Sequence, residues 1–492
     1  MKKLLTIVLL FGSVLSQAQY VTPGTGINWN MDSLVLHSNG AVISTINGYQ
    51  IKQNLAIDTS DIISVSTASR IELDSMIQFD IYGSLSMNPQ SGTIILTAHD
   101  TTKVFKGIYA HEASTVLFKK TLIEWGGGIK VSDCDFYMDS CFVRKNQNKL
   151  STAAAIDIVS GHPIIMNSTF EGNRNSAISS GANIASAPVI YKNIFINNGY
   201  SNANRPQINL GPSGTDTAFI IQNIVTGGPY NNIGGIAFSS LLGVTGNVII
   251  AENTIENNRY GITITGSNIN GNIINNNIAD NNIQNNPNLG GSGINLTATN
   301  GNQHTTIKGN TITGNLWGIT LVGKPTANIG DTSSTNYNPG LNEFSNNGNN
   351  NKLVDLYNNT PNTIKAMGNC WNVTIQDSIS IDSVIVHKPD IDSLGIVIFM
   401  PSCSSSTSIQ EAETMKTSVY PNPATESVKI EFTQSTKEIV ICNSLGQIVF
   451  RKGNSVSDDI MQINVSNWPD GLYIITINNE KNYKTEKLLI RH

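Results

Sequence analysis

Two carboxylates, Glu252 and Asp280, have a spacing that could bring acidic side chains together. Each stands directly before an Asn of a repeated phrase, so the two fall one repeat apart. If the repeats stack, the carboxylates could bind a cation such as calcium, or one could hold a raised pKa. Alternatively, both are solvated surface acids beside Arg259 and Lys308. Both interpretations stay open, and the sequence indicates no cofactor other than this calcium.

Aromatic side chains form a second candidate site. The seventh position after the repeated Asn is occupied, in successive repeats, by Tyr200, Tyr230, Tyr260, Asn288 and Trp317. Four aromatic residues in a column of five exceed what a chain with 7% aromatic residues places there by chance. The rings either stack on one another as packing or form an apolar strip on which sugar rings lie. The four aromatic residues are therefore our predicted ligand-binding residues.

Charged side chains are sparse along the repeats, and no catalytic residue is predicted from them. Residues 151–350 hold eight acids and six bases, whereas cleavage of a polysaccharide concentrates charge on one face. His162 and His304 have no His, Cys or carboxylate neighbour at metal-ligand spacing. An enzyme is not excluded, because a stacked repeat assembles a site from residues that lie one repeat apart in sequence.

A repeat between Asn193 and Asn347 must position these residues. Its ladder residues, spaced by 30, 30, 28, 29 and 32 residues, are Asn193, Asn223, Asn253, Asn281, Asn310 and Asn342. An apolar residue follows each of them at the second position. The phrases are rich in Ile, Val, Thr, Asn and Gly, which favours short strands and turns over helices. Stacked strands would bury the Ile side chains, and the Asn amides would form a hydrogen-bonded ladder about 4.8 Å per step.

The N-terminal region and the overall charge narrow the class of protein. Residues 1–18 begin with Lys2 and Lys3, continue with an apolar run and end in a signal-peptidase cleavage site made of small residues. They are therefore predicted to be a signal peptide. Residues 19–54 carry no repeat and are interpreted as an N-terminal cap region. No later stretch approaches 18 apolar residues, which predicts no transmembrane helix. Without the signal peptide, 28 bases face 35 acids, and this acidic balance argues against a nucleic-acid partner.

The five cysteines are too few for a disulfide scaffold. Cys134 and Cys141 could close across one turn, and Cys370 and Cys403 could pin one end of the repeat. The sequence alone does not decide whether either disulfide forms, because that depends on the distance between the two Cα atoms.

Residues 55–401 resemble the right-handed parallel β-helix proteins exported by bacteria of the Bacteroidetes type. The resemblance rests on the NTIxxNxxGI phrases and on the closing segment GNCWNVTIQDSISIDSVIVHKPDIDSLGIVIFMP, residues 368–401. In that segment Asn372 replaces the usual Gly, and His387 stands near an expected Asp. The resemblance implies a fold rather than a reaction.

The last part of the chain changes character. A Ser-rich linker at 402–416 precedes alternating strands with Pro-Asn-Pro, Leu-Gly-Gln and Pro-Asp-Gly turns, which predict a small antiparallel β-sandwich at 417–492. Tyr420-Pro421-Asn422-Pro423, Leu445-Gly446-Gln447, Gly471-Leu472-Tyr473 and Lys487-Leu488-Leu489-Ile490 closely resemble the type A sorting tail of the type IX secretion system. The resemblance implies passage across the outer membrane, with the tail then removed and the body released or attached to the cell surface.

The sequence therefore predicts an all-β, exported protein, a long parallel β-helix followed by a sandwich. Two functions stay open. One is a secreted or surface-displayed protein that binds polysaccharide or acts as an adhesin; the other is a polysaccharide lyase or glycoside hydrolase. The small number of charged residues along the repeats favours the binding or adhesive function. The type IX secretion machinery is the partner implied for 417–492.

Overall fold

The computed structural model describes residues 19–147, 153–333, 336–403, 417–432, 436–443, 448–456, 460–478 and 483–491. The predicted signal peptide and most of the predicted linker lie outside these residues. From residue 19 to residue 398 the chain winds through three long sheets whose strands pair in parallel, apart from one antiparallel pair, Val42–Thr45 with Gly48–Ile51, at the start of the third sheet. From Asn54–Ile57 to Glu343–Ser345, each turn of the chain contributes one strand to the first sheet, then one to the second and one to the third.

The first sheet consists of Gln19–Val21, Asn54–Ile57, Gln78–Ile81, Gly107–Ala110, Ile129–Ser132, Ala154–Ser160, Ser176–Ser180, Ile208–Leu210, Ile236–Ser240, Ile262–Gly266, Ser292–Ala298, Trp317–Gly323, Leu356–Asn359 and Ile385–Val386. The second sheet consists of Asn28–Trp29, Ile62–Val65, Ser84–Met87, Thr115–Lys119, Asp135–Asp139, Ile164–Met166, Val189–Tyr191, Thr217–Ile221, Gly246–Ala251, Ile269–Ile274, Gln303–Lys308, Thr326–Gly330, Ile364–Ala366 and Val397–Ile398. The third sheet consists of Val42–Thr45, Gly48–Ile51, Arg70–Leu73, Ile94–Ala98, Thr121–Glu124, Phe142–Arg144, Thr169–Glu171, Ile194–Ile196, Ile224–Thr226, Thr254–Glu256, Asn277–Ala279, Thr311–Thr313 and Glu343–Ser345.

One continuous apolar core runs along the axis of this coil. Alternate residues of each strand point inward, as Ile262 and Ile264 do in the first sheet, while Thr263 between them points outward. Each fully enclosed Ile contributes about 1.5–3 kcal/mol. A single turn of chain is too thin to bury these side chains, so the fold is stable only as a stack. The predicted parallel β-helix is confirmed.

Two ladders of side-chain amides hold the turns in register. The first lies between the second and third sheets and joins Asn193, Asn223, Asn253, Asn276, Asn310, Asn342 and Asn369, each Nδ2 donating to the next Oδ1 at 2.8–3.1 Å. The second lies between the third and first sheets and joins Asn146, Asn173, Asn198, Gln207, Asn258, Asn281, Asn315, Asn347 and Asp355. At most steps the acceptor Oδ1 also accepts a backbone N–H, as Asn253 does from Asn223, so these steps carry more than one hydrogen bond.

Asn281 is a buried ladder residue, as predicted, but its predicted place between Asn253 and Asn310 was wrong. Asn281 belongs to the second ladder, and the first-ladder residue of that turn is Asn276, which donates to Asn310 at 2.9 Å. Asn276 and Asn281 are each followed by an apolar residue two positions later. Only the strand pairing shows which of the two belongs to the first ladder. Ile278, two residues after Asn276, pairs with Ile255 and Ile312 in the third sheet. The loop after Asn281 is longer than its neighbours, which hid the true spacing.

The two ends of the coil are closed differently. Gln19–Val21 and Asn28–Trp29 already pair in parallel with the next turn, so the coil begins before the predicted boundary at residue 55. These strands are too short to show periodicity in the sequence. The helix Met31–His37, whose capping box is formed by Asn30 and Ser33, buries Leu34 against the core. At the other end stand the hairpin Gly348–Asn349 with Lys352–Leu353 and the helix Ser378–Asp382.

Four of the five cysteines form one bridge and two free thiols. Cys370 and Cys403 form a disulfide with Cα atoms 5.1 Å apart, and this bond ties the last turn to the segment after it. Cys134 and Cys141 are free and buried, so the possible bridge between them is not formed. Burial raises the pKa of Cys134 to about 11 and that of Cys141 to about 12, which keeps both thiols protonated and unreactive.

The C-terminal domain is a small antiparallel sandwich with its own core, as predicted. One sheet consists of Thr417–Tyr420, Ser427–Phe432 and Ile460–Asn464. The other consists of Thr436–Cys442, Ile448–Val456, Gly471–Asn478 and Tyr483–Ile490.

The second ladder ends on a buried carboxyl group, and this gives the fold a pH dependence. Asp355 accepts hydrogen bonds from Asn347 Nδ2 at 3.2 Å and from the Asn372 backbone at 2.8 Å. Burial raises its pKa to about 6, against the opposing effect of these two donors. Asp355 is protonated in both states below about pH 4, but above about pH 6 the native state must hold a buried carboxylate.

We therefore expect the free energy of unfolding to fall between about pH 4 and pH 6, with a contribution from Asp355 on the order of 2–3 kcal/mol. Urea unfolding at a series of pH values measures it. The matched variant is Asp355→Asn, which cannot ionise and should lose this part of the pH dependence. A pH profile that is the same in the variant and the natural chain would contradict the expectation.

Candidate functional site

Strand pairing brings together two of the four predicted aromatic residues. Ser292 pairs with Trp317, and the same register places Tyr260 one turn before Ser292 at the edge of the first sheet. Tyr200 and Tyr230 instead lie on loops, because their first-sheet strands begin only at Ile208 and Ile236. The Tyr200 hydroxyl donates to Gln147 Oε1 at 2.6 Å. A constant spacing from the ladder Asn does not give a column here, since the loops between the third and first sheets vary in length.

Tyr260 and Trp317 border a groove of about 690 Å³ on the outer face of the first sheet. The floor of this groove is the outward row of four successive strands, Thr263, Asn295, Thr320 and Tyr357. One side is formed by the loop from Pro287 to Gly290. A volume in this range holds a small ligand or a few sugar units of a longer one.

The polar groups of the floor are held in place by one another. Asn295 Nδ2 donates to Thr320 Oγ1 at 2.8 Å, which fixes the direction of the amide. Thr263 and Thr297 donate their hydroxyls to Asn295 Oδ1 at 3.1 and 2.9 Å. Ser292 Oγ lies 2.9 Å from Thr320 Oγ1. This network presents amide and hydroxyl groups in a fixed arrangement, so little conformational freedom is lost when a ligand binds.

Two stacked rings form the aromatic side of the groove. The rings of Trp317 and Tyr357 are stacked with centroids 5.4 Å apart and an interplanar angle of 27°. Trp317 Nε1 donates to the Pro287 carbonyl at 3.0 Å, so the indole is held by the loop beside the groove. These contacts fix the orientation of the indole plane.

Tyr260 closes the other end of the groove. Its ring lies over Gly234, where an added Cβ would stand 2.1 Å from Tyr260 Cζ, so only glycine leaves room for it. Burial raises the pKa of Tyr260 to about 12, although the charge of Arg259 opposes the shift. The phenol therefore stays protonated and can donate a hydrogen bond.

Arg259 supplies the charge of the groove. Its guanidinium donates to Asn204 Oδ1 and to the Leu289 carbonyl, so it links two loops at the rim. Its Nε is buried and has no hydrogen-bond partner among the described residues. A buried donor without a partner favours a ligand oxygen at this place.

The predicted pair Glu252 and Asp280 is not brought together. Glu252 precedes first-ladder Asn253 and accepts from Gln222 Nε2 at 2.5 Å, whereas Asp280 precedes second-ladder Asn281 and is exposed. The error follows from the misassigned ladder residue Asn281. Within the described part of the chain, no group of three or more His, Cys, Asp or Glu side chains could hold a metal ion.

Sequence reasoning missed Thr263, Asn295, Thr320 and Tyr357. The outward Thr residues were visible in the alternation of the Gly-Ile-Thr-Ile and Gly-Ile-Thr-Leu phrases. Asn295 holds the corresponding position in the phrase Gly293-Ile294-Asn295-Leu296 and could have been aligned with them. Tyr357 could not, because its strand does not begin with a Gly-Ile phrase.

Residues 418–491 match the family model of the secretion system C-terminal sorting domain. This domain indicates interaction with the type IX secretion machinery and export to the cell surface or the extracellular space. Within the described residues, no helix is long and apolar enough to cross a membrane. No curated protein matches the chain.

Two solved structures are similar to the chain at low identity. A mutant tailspike protein of E. coli bacteriophage HK620, solved in complex with a pentasaccharide, has 9% identity and a TM-score of 0.42, covering 96% of this chain and 86% of its own. The periplasmic alginate epimerase AlgG has 14% identity and a TM-score of 0.23, covering 76% of this chain and 83% of its own. Neither similarity is close enough to transfer a residue or a ligand.

Proposed function

We propose that this exported protein binds a polysaccharide in the groove on the outer face of its first sheet. The observation that carries the proposal is the stacked pair Trp317 and Tyr357 beside the ordered row Thr263, Asn295 and Thr320. A sugar ring has an apolar face of C–H groups and a rim of hydroxyls. The aromatic side of the groove matches the first, and the amide and hydroxyl groups match the second.

The shape of the groove fits a chain rather than a single sugar. Its floor follows the stacking direction over four strands, and neighbouring strands lie about 4.8 Å apart. The row is therefore about 14 Å long, enough for two or three sugar units. A segment of polysaccharide can lie along this direction, with Tyr260 at one end of the row.

The charge of the groove favours binding over cleavage. Of the described residues that line it, Arg259 is the one with a full charge at neutral pH, and none is a carboxylate. Hydrolysis of a glycosidic bond generally uses a pair of carboxylates on either side of the bond. The groups that are present bind and orient a ligand, and Arg259 adds affinity for acidic sugars.

Retention of the full-length protein on a panel of immobilised neutral and acidic polysaccharides tests the proposal. Val322 lies in the groove, so Val322→Arg should fill it and lower retention at least tenfold. The matched control is Leu242→Arg, at an exposed residue outside the lining, which should leave retention unchanged. Failure of the natural protein to bind any member of the panel, or full retention of Val322→Arg, would overturn the proposal.

A further inference from the structure

The outer face of the second sheet carries an apolar area that the groove does not use. Two neighbouring outward columns run across its strands between Asp135–Asp139 and Ile269–Ile274. We call these residues the outer apolar face: Tyr137, Ile164, Val189, Phe219, Ile249, Met166, Tyr191, Ile221, Ala251 and Ile274. They cover six successive strands, a distance of about 24 Å.

The outer apolar face has polar limits. The column that contains Met166 and Tyr191 is preceded by Asp139 and followed by Lys308. The column that contains Phe219 and Ile249 continues into Asn272. Outward residues of a solenoid normally meet water, so a bounded apolar area of this size indicates a surface that is covered.

The C-terminal domain covers it. Ile474 and Val440, from adjacent strands of the tail, pack in one cluster with the outer apolar face. As a result Tyr191 is 4% exposed and Ile221 is 1% exposed, although both point away from the core of the coil. Lys487 Nζ of the tail lies 4.5 Å from the centroid of the Tyr191 ring, a favourable contact between a cation and an aromatic face.

Charged groups of the two domains also act on each other. The pKa of Tyr191 is raised to about 12 by burial and by the negative charges of Glu252 and of Glu486 in the tail. Burial lowers the pKa of Lys487, and Lys192 of the coil adds to this effect while Asp139 opposes it. The contact therefore has an apolar centre and a charged border, as protein interfaces generally have.

We propose that the outer apolar face is the docking site of the chain's own C-terminal domain, which covers it until the two domains separate. Each domain has its own closed core, so the contact joins two folded units and is not needed to complete either one. Separation of the tail leaves the coil with an exposed apolar surface and leaves the tail with Ile474 and Val440 uncovered.

The test uses the full-length chain with a specific protease site placed in the segment 404–416. After cleavage, the two fragments of the natural sequence should co-elute in gel filtration at micromolar concentration. Ile474→Asp should abolish co-elution, because it places a carboxylate against the outer apolar face. Ile460→Asp is the matched control, since Ile460 is exposed on the other sheet of the tail, and it should still co-elute.

Circular dichroism of the released tail shows whether Ile474→Asp still folds. Ile221→Asp, on the coil side of the contact, gives the same test without altering the tail and should also abolish co-elution. Separate elution of the natural fragments would overturn the proposal. So would a dimer of the coil with a free tail, because the outer apolar face would then belong to a second copy.

Discussion

Replacing Asn276 by Leu should lower the free energy of unfolding by about 3–6 kcal/mol. Asn276 Oδ1 accepts the backbone N–H of Asn253 at 3.0 Å and its side-chain amide at 2.9 Å. Asn276 Nδ2 donates to Asn310 Oδ1 and to the Ile250 carbonyl, both at 2.9 Å. A leucine satisfies none of these groups, and each buried group left without a partner costs about 1–3 kcal/mol.

The next residue provides the control for this prediction. Asn277 begins the strand that directly follows Asn276 and is exposed, so Asn277→Leu should change the free energy of unfolding by less than about 0.5 kcal/mol. Equilibrium denaturation in urea measures both variants. Equal stability of the two variants would show that Asn276 is not a ladder residue.

The architecture could be predicted because it repeats. Between Asn193 and Asn342, each turn has a first-ladder Asn followed two residues later by a core Ile, Val or Phe, and five of the six phrases used for the prediction report this arrangement. What failed was the assignment of one residue among two equivalent corners. Asn276 and Asn281 are both buried ladder amides, and the chain between them is a single short strand.

The backbone conformation of the turns between the second and third sheets could not be predicted from residue type. The residue before a first-ladder Asn has a positive φ, which is 53° at Lys192, 55° at Gln222 and 56° at Glu252. Residues other than glycine rarely adopt this left-handed backbone conformation. The turn demands it here, because the following Asn must point its amide into the ladder.

The candidate site could be predicted in part. Tyr260 and Trp317 were found from their spacing and do line one groove. Tyr200 and Tyr230 shared that spacing, but the loops after them carry them away from the strand edge. Tyr357 was missed for the opposite reason, since its ring meets Trp317 only through a pairing between strands that lie more than thirty residues apart.

The second large effect concerns the aromatic side of the groove. Trp317→Ala combined with Tyr357→Ala should weaken polysaccharide binding by about 30–150-fold, which corresponds to about 2–3 kcal/mol. The two rings form one stack, so removing both takes away the apolar surface on which a sugar ring lies. Binding isotherms of the full-length protein with a polysaccharide that it retains measure the loss.

Tyr200→Ala is the control for that prediction. Tyr200 occupies the same sequence position relative to its ladder residue as Trp317 does, but it is not part of the groove lining. Its loss removes the hydrogen bond to Gln147 and should leave the affinity unchanged. An equal loss of affinity in Tyr200→Ala would place the ligand along the original sequence column instead of in the groove.

Titration of the intrinsic tryptophan fluorescence tests the central claim most directly, because Trp317 stands at the edge of the groove. Added polysaccharide should change the emission of the natural protein with the same midpoint as the binding isotherm. The change should be absent in Trp317→Phe, which keeps an aromatic ring but removes the reporter. Binding without any change in emission, or the same change in Trp317→Phe, would show that the polysaccharide does not lie in this groove.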